Sequence, residues 1–136
     1  MKKNVLLNLI NDYQNEVQKF MERFESKYKC SDVLRAWREE IIEKEGHLPD
    51  GIEFELHGIG CRIYYPDHEV DFDFGPENRS DGFDLWRLKK YLSQRKDIQQ
   101  ILSVSELEAI FKELEHENII AKIYDNSNLH FFVKSK

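Results

Sequence analysis

The chain has 136 residues, enough for one domain or for a domain with a small appendage. Hydrophobic residues make up 40% of it and charged residues 34%, a composition typical of a folded core rather than of disorder. The net charge is -6, and no apolar run approaches the roughly 18–20 residues that span a bilayer. Cys30 and Cys61 do not make a disulfide framework, so we expect a cytoplasmic protein.

Two amphipathic helices are expected at the N-terminus. Apolar residues recur at three- and four-residue spacings over residues 3–29, which predicts one long helix with its apolar stripe in the core. A second helix is expected from Asp32 to Glu45, with Ser31 or Asp32 as N-cap and Gly46 as a left-handed C-cap. The first helix could instead bind a partner or a second copy, which leaves monomer and homodimer both open.

A module of three β-strands follows these helices. Apolar and acidic residues alternate from Ile52 to Leu56, which predicts a half-buried strand. The two glycines of residues 57–60 indicate a bulge or a sharp bend, and residues 61–65 and 69–74 are predicted as two further strands. Cys61 falls on the apolar side of its strand, so we expect a buried and unreactive thiol.

The turn between the last two strands decides which residues face one another. A two-residue loop at Asp67-His68 would place Ile63 opposite Phe72 on an apolar face. The same register places Arg62 opposite Asp73 on a polar face.

Asp71 and Asp73 lie two residues apart on one strand, so their carboxylates point to the same side about 7 Å apart. Together with His57 they could hold a divalent metal or perform acid–base chemistry. The alternative is an ordinary cross-strand ion pair with Arg62 on a solvated face. The chain carries no zinc-ligand spacing, phosphate-binding loop, nucleophile elbow or dinucleotide fingerprint, so no cofactor is predicted. We expect four histidines to lie in loops or on the surface: His47, His68, His116 and His130.

The C-terminal part is predicted as helix, helix and hairpin. A helix after the polar loop is expected to begin at Ser80 or Asp81 and to bury Trp86, as the second helix is expected to bury Trp37. After a connector at residues 97–104, a capping box predicts the start of another helix, and a β-hairpin closes the chain. The box residues are Ser105 and Glu108, and the hairpin strands are residues 119–124 and 129–133.

These elements predict an α+β fold in a single domain, residues 1–136. Its parts are a helical N-terminal part (1–46), a central antiparallel β module with a helix (52–92) and a helix followed by a hairpin (93–136). The order of the last elements occurs in winged-helix DNA-binding domains. The helix that would enter the DNA groove, Glu106 to Glu117, is strongly acidic, which argues against nucleic-acid binding.

Acidic charge is concentrated in the middle of the chain. The segment from Gly51 to Leu85 has nine acidic residues and two basic ones, a net charge of -7. Such a surface repels nucleic acid and attracts basic partners. The polar loop from Gly75 to Asp84 continues this acidic rim into the start of a helix, and loops on a rigid scaffold are common binding elements.

Three motifs of the central part carry a family resemblance. They are His57-Gly58-Ile59-Gly60-Cys61, Val70-Asp71-Phe72-Asp73-Phe74-Gly75 and Asp81-Gly82-Phe83-Asp84-Leu85-Trp86-Arg87-Leu88. This pattern resembles a family of small bacterial proteins without an established activity, whose members look like the immunity proteins of toxin systems. The resemblance covers about residues 52–92 and implies binding to a cognate toxin domain, often a nuclease, in the cytoplasm.

The first hypothesis is therefore a non-catalytic immunity protein with an acidic contact surface. Basic nuclease surfaces can be covered by an acidic partner, with an aromatic residue as an anchor. The predicted contacts are Tyr64, Asp71, Asp73, Glu77, Asp81 and Asp84. The alternative is a metal-dependent enzyme or metal-binding module centred on His57, Asp71 and Asp73.

Overall fold

The computed structural model describes residues 2–22, 31–48, 52–57, 60–73, 82–125 and 128–134, with the backbone alone at 31–34, 57, 123–125 and 128. No helix among these residues is long and apolar enough to cross a membrane. Gly46 has φ +81° and ends the second helix as predicted. The helices are α1 (Lys2–Met21), α2 (Ser31–Glu45), α3 (Leu85–Gln94), α4 (Lys96–Gln99) and α5 (Val104–His116), and the strands are β1 (Glu53–His57), β2 (Gly60–Tyr64), β3 (Glu69–Asp73), β4 (Ile120–Asp125) and β5 (Asn128–Val133).

The described strands form two antiparallel sheets. One has the order β1-β2-β3, and the other is the β4-β5 hairpin. An isolated antiparallel bridge between Phe83 and Phe131 ties the segment before α3 to β5. Helices and antiparallel sheets thus occupy separate stretches of the chain, which confirms the predicted α+β fold.

Helix α1 covers the apolar face of the three-stranded sheet. The Phe20 ring meets the rings of Phe54 and Phe72 edge to face, with centroids 5.3 and 6.1 Å apart. Tyr13 is fully buried, and its hydroxyl donates a hydrogen bond to the backbone carbonyl of Asp71. This bond satisfies a backbone group on the edge of β3 that is turned away from β2. Because side chains alternate along a strand, the polar residues of the sheet lie on the face turned away from α1.

A four-residue turn joins β2 to β3, where a two-residue loop was predicted. Tyr64 lies opposite Glu69, and the Tyr65 amide donates to the His68 carbonyl at 2.9 Å. The rings of Tyr65 and His68 stack at 4.7 Å, and Nε2 of His68 lies 2.5 Å from a carboxylate oxygen of Glu16 on α1. These contacts stabilise the four-residue turn. They involve residues outside the strands, so the alternation of apolar and polar residues along the strands does not predict them.

The longer turn shifts the predicted strand register by two residues. Arg62 faces Asp71, so the predicted pairing of Arg62 with Asp73 was wrong. Because the shift is even, every side chain keeps its predicted face of the sheet.

The contact of His68 with Glu16 predicts a pH-dependent contribution to stability. Burial lowers the pKa of His68, but its contacts with Asp67 and Glu16 outweigh this and raise the pKa above its ordinary value. A raised histidine pKa stabilises the fold fully below about pH 6.5, and this stabilisation is lost as the pH rises through the folded-state pKa. We expect His68→Gln to cost more unfolding free energy at pH 6 than at pH 9 in urea titrations. An equal cost at both pH values would contradict this role.

Helix α3 begins later than predicted. Its N-cap is Asp84, whose carboxylate accepts the backbone N–H three residues on at 2.7 Å, so the predicted start at Ser80 or Asp81 was wrong. Phe83 and Phe131 exchange two backbone hydrogen bonds, at 2.8 and 2.7 Å. This pairing keeps Phe83 extended, and the helix can start only after it.

The capping box of α5 lies two residues before the predicted one. Ser103 is the N-cap: its hydroxyl accepts the backbone N–H of Glu106, and the Glu106 carboxylate accepts the backbone N–H of Ser103. The prediction of Ser105 as the first residue of the box was therefore wrong. Leu102 and Leu107 flank this box and are fully buried. These two leucines hold the staple positions that favour Ser103 as the cap. The predicted connector before the box contains the single turn of α4.

Candidate functional site

The polar face of the three-stranded sheet brings together the acidic residues of the central segment. Pairing in register places His57 opposite Gly60, and Gly60 opposite Asp73, so these positions share one row across the sheet. The side chain of His57 is outside the described part. The polar face consists of Glu53, Glu55, Arg62, Tyr64, Glu69, Asp71 and Asp73.

Helix α3 covers the β3 side of this face. Asp71 is buried, with 8% of its surface exposed, and its carboxylate binds two cations. Nε of Arg62 lies 3.1 Å away and Nζ of Lys90, on α3, lies 2.5 Å away. Gln94, also on α3, bonds both the N–H and the carbonyl of Glu69, at 2.7 and 2.8 Å. The predicted solvated face is therefore closed along β3.

Asp73 lies in a second buried ion pair next to the first. Its carboxylate lies 3.3 Å from Nη1 of Arg87, which also binds the N-cap carboxylate of Asp84. Nδ1 of His130, on β5, lies 3.4 Å from the other oxygen of Asp73. His130 is 3% exposed, so the prediction of a surface position for it was wrong. The bridge between Phe131 and Phe83 holds β5 next to the segment before α3, and this places His130 beside β3.

The carboxylates and the basic side chains of Arg and Lys in the buried cluster are equal in number. Three carboxylates, of Asp71, Asp73 and Asp84, face three cations, of Arg62, Arg87 and Lys90. Burial raises the pKa of Asp73 despite the nearby Arg87 and His130. The buried side-chain atoms left without a hydrogen bond in the described part all belong to this cluster: Oδ1 of Asp73, Nε of Arg87 and both ring nitrogens of His130.

The β1 side of the polar face remains open. Glu53 and Glu55 are exposed on β1, and Tyr64 on β2 donates its hydroxyl hydrogen bond to Glu55 at 2.5 Å. Arg38 of α2 pairs with Glu53 at 2.9 Å. We call Glu53, Glu55 and Tyr64 the open acidic surface.

Trp86 was predicted to be core, and this was wrong: 60% of its surface is exposed. The inward side of α3 is formed by Leu88, Tyr91 and Leu92. Trp86 lies off that stripe, since its neighbours three and four residues on are both lysines. Nζ of Lys90 lies 5.2 Å from the centre of the Trp86 ring. Trp86 thus lies beside Lys90, one of the two cations that bind Asp71.

The predicted contact residues have different places. Tyr64 is on the open acidic surface. Asp71 and Asp73 are buried, and Asp84 caps α3. Glu77 and Asp81 lie outside the described residues. Sequence reasoning missed the basic partners Arg87, Lys90 and His130. Arg87 and Lys90 are spaced three apart on the helix that follows the acidic strand, and this pattern could have indicated a helix lying over it.

The metal hypothesis receives no support from the described residues, which contain no group of three His, Cys, Asp or Glu side chains able to hold an ion. Asp71 and Asp73 are already bound by cationic side chains. Cys61 is fully buried, as predicted, and burial raises its thiol pKa well above the ordinary range.

Comparison with known families identifies the chain. Residues 6–132 match the family model DUF6896, a domain of unknown function. The chain belongs to this family. No curated protein and no solved structure matches it. The DUF6896 match includes most of α1, the three-stranded sheet and nearly all of the β4-β5 hairpin, and so extends well beyond the three central motifs.

Proposed function

We propose that this DUF6896 domain is a non-catalytic immunity protein that binds and neutralises a cognate toxin domain in the bacterial cytoplasm. The toxin's substrate in this proposal is a nucleic acid, because nucleases have basic surfaces that an acidic partner can cover. The identity of the partner as a toxin rests on the motif resemblance. The binding role rests on the exposed indole of Trp86 and on the open acidic surface.

The exposed indole of Trp86 is the observation that carries the proposal. A tryptophan with 60% of its surface in water costs hydrophobic free energy in the isolated protein. Tryptophan is among the residues most enriched in binding hot spots. Arg87 and Lys90 flank the ring within 6 Å and are themselves bound to buried carboxylates. The indole is therefore held in place before a partner arrives.

In this proposal the acidic residues divide between those that support the fold and those that contact the toxin. Asp71, Asp73 and Asp84 are neutralised by cations of the same chain, so in this proposal they hold α3 and Trp86 in position. Glu53 and Glu55 are exposed, although Glu53 also pairs with Arg38 of α2, and they would meet the basic residues of the toxin. Tyr64, bonded to Glu55, would contact the toxin together with them.

Replacing Trp86 with alanine tests this proposal. We expect the affinity for the toxin domain encoded by the neighbouring reading frame to fall at least about thirtyfold, because loss of a central aromatic anchor costs about 2 kcal/mol or more. Calorimetric titration of the purified proteins measures this. The matched control is Ile101→Ala, which removes another exposed hydrophobic side chain, 49% exposed, from a different element. Equal affinities for the two variants would remove Trp86 from the contact surface.

A further inference from the structure

A row of four asparagines runs along one exposed side of α1. Asn4, Asn8, Asn11 and Asn15 are spaced four, three and four residues apart, which places them on one stripe of the helix. Asparagine is among the weaker helix formers. None of the four side chains has a hydrogen-bond partner among the residues that the structure describes. The stability of α1 does not explain this row.

Every member of the row except Asn15 lines a groove between α1 and the β4-β5 hairpin. The groove has a volume of about 810 Å³, and its apolar floor is formed by Leu7, Ile119 and Val133, each partly buried. Among the described residues that line it there is no carboxylate, although the chain as a whole carries a charge of -6. Lys134 is the one charged group among these lining residues.

The chemistry of this groove fits the backbone of an extended peptide. A carboxamide carries one donor group and one acceptor, the same pair that a peptide group presents. Asn4 and Asn11 are about 10 Å apart along the helix axis, the length of about three extended residues. A nucleic acid would need several cations, and a basic segment would find no carboxylate among the lining residues.

We propose that this amide groove binds an uncharged, extended segment of a partner polypeptide, with the asparagine side chains pairing with its backbone. The apolar floor takes the side chains that alternate towards it. The groove shares no residue with the open acidic surface, so the inference stands independently of the proposed function.

Selection of phage-displayed random peptides on the full chain, followed by calorimetry of the synthetic best binder, tests the groove. The variant Asn8→Ala/Asn11→Ala is compared with Asn15→Ala, which changes the same row outside the groove. Alanine favours helix more than asparagine, so both variants should melt at or above the wild-type temperature.

We expect uncharged peptides to be enriched, and their affinity to fall at least tenfold for the double variant and to stay unchanged for Asn15→Ala. Three outcomes would overturn the proposal. They are enrichment of no peptide, enrichment of basic peptides, and binders that recognise the double variant as tightly as the wild type.

Discussion

Replacement of Arg87 with methionine is expected to lower the free energy of unfolding by about 3–5 kcal/mol, because it leaves buried carboxylates without their cation. Asp73 loses its basic partner on α3, and Asp84 loses the side chain that it binds. Methionine has a similar length and keeps the packing along the helix. We expect the loss to shrink as the pH falls, since Asp73, whose pKa is raised by burial, then takes up a proton. Urea unfolding at pH 5 and pH 8 measures both effects.

Two variants separate this explanation from a general effect of changing α3 or its neighbours. Lys90→Met removes a cation from the same helix, but Asp71 keeps Arg62 at 3.1 Å, so the cost should be clearly smaller. Asp73→Asn removes a carboxylate whose pKa is already raised by burial and leaves Arg87 bound to Asp84, so it should also cost less than Arg87→Met. If Arg87→Met cost no more than either of them, the buried cluster would not hold α3 on the sheet.

Reversal of both charges on β1, in Glu53→Lys/Glu55→Lys, is expected to weaken toxin binding more than a hundredfold. Like charges facing each other across an interface cost several kcal/mol, and a hundredfold loss of affinity corresponds to about 2.7 kcal/mol. The variant should also bind with a flatter dependence on salt concentration, because attraction between the surfaces is lost. Calorimetry between 50 and 300 mM salt, roughly a factor of two in Debye length, measures both.

The matched control changes the net charge equally at another place. Glu113→Lys/Glu117→Lys lies at the end of α5, next to Lys3, and away from the polar face of the sheet. We expect a small loss of affinity through the change in overall charge. If both double variants weakened binding to the same extent, the partner would sense the charge of the whole protein rather than the open acidic surface.

Alternation of apolar and acidic residues was enough to predict the three-stranded module and the face of each side chain. The burial of Phe54, Cys61 and Phe72 follows from the two-residue alternation of side chains along a strand alone. The register did not follow, since it depends on the stacking of Tyr65 on His68 and on the contact of His68 with Glu16 of α1. Contacts between elements far apart in the chain are invisible to a local pattern.

The sequence predicts which acidic residues share a face of the sheet, but it does not predict which of them are buried. The sequence indicated an acidic strand with Asp71 and Asp73 on one side, and the structure confirms that they share a face. Which half of that face is buried depends on where α3 lies, and this is set by the late start of the helix after the Phe83 bridge. His130 reaches Asp73 from β5, 57 positions along the chain, and no spacing rule connects the two.

Cell survival most directly tests the central claim, that this domain neutralises a toxin by binding it through Trp86 and the open acidic surface. The neighbouring reading frame is expressed alone, with the wild-type domain, and with the domain carrying Trp86→Ala and Glu53→Lys/Glu55→Lys. The account predicts that the neighbour alone stops growth, that the wild-type domain restores growth and co-purifies with it in equal amount, and that the folded variant does neither. Full rescue by a variant that is expressed and folded would contradict the account, as would a neighbour that is harmless alone.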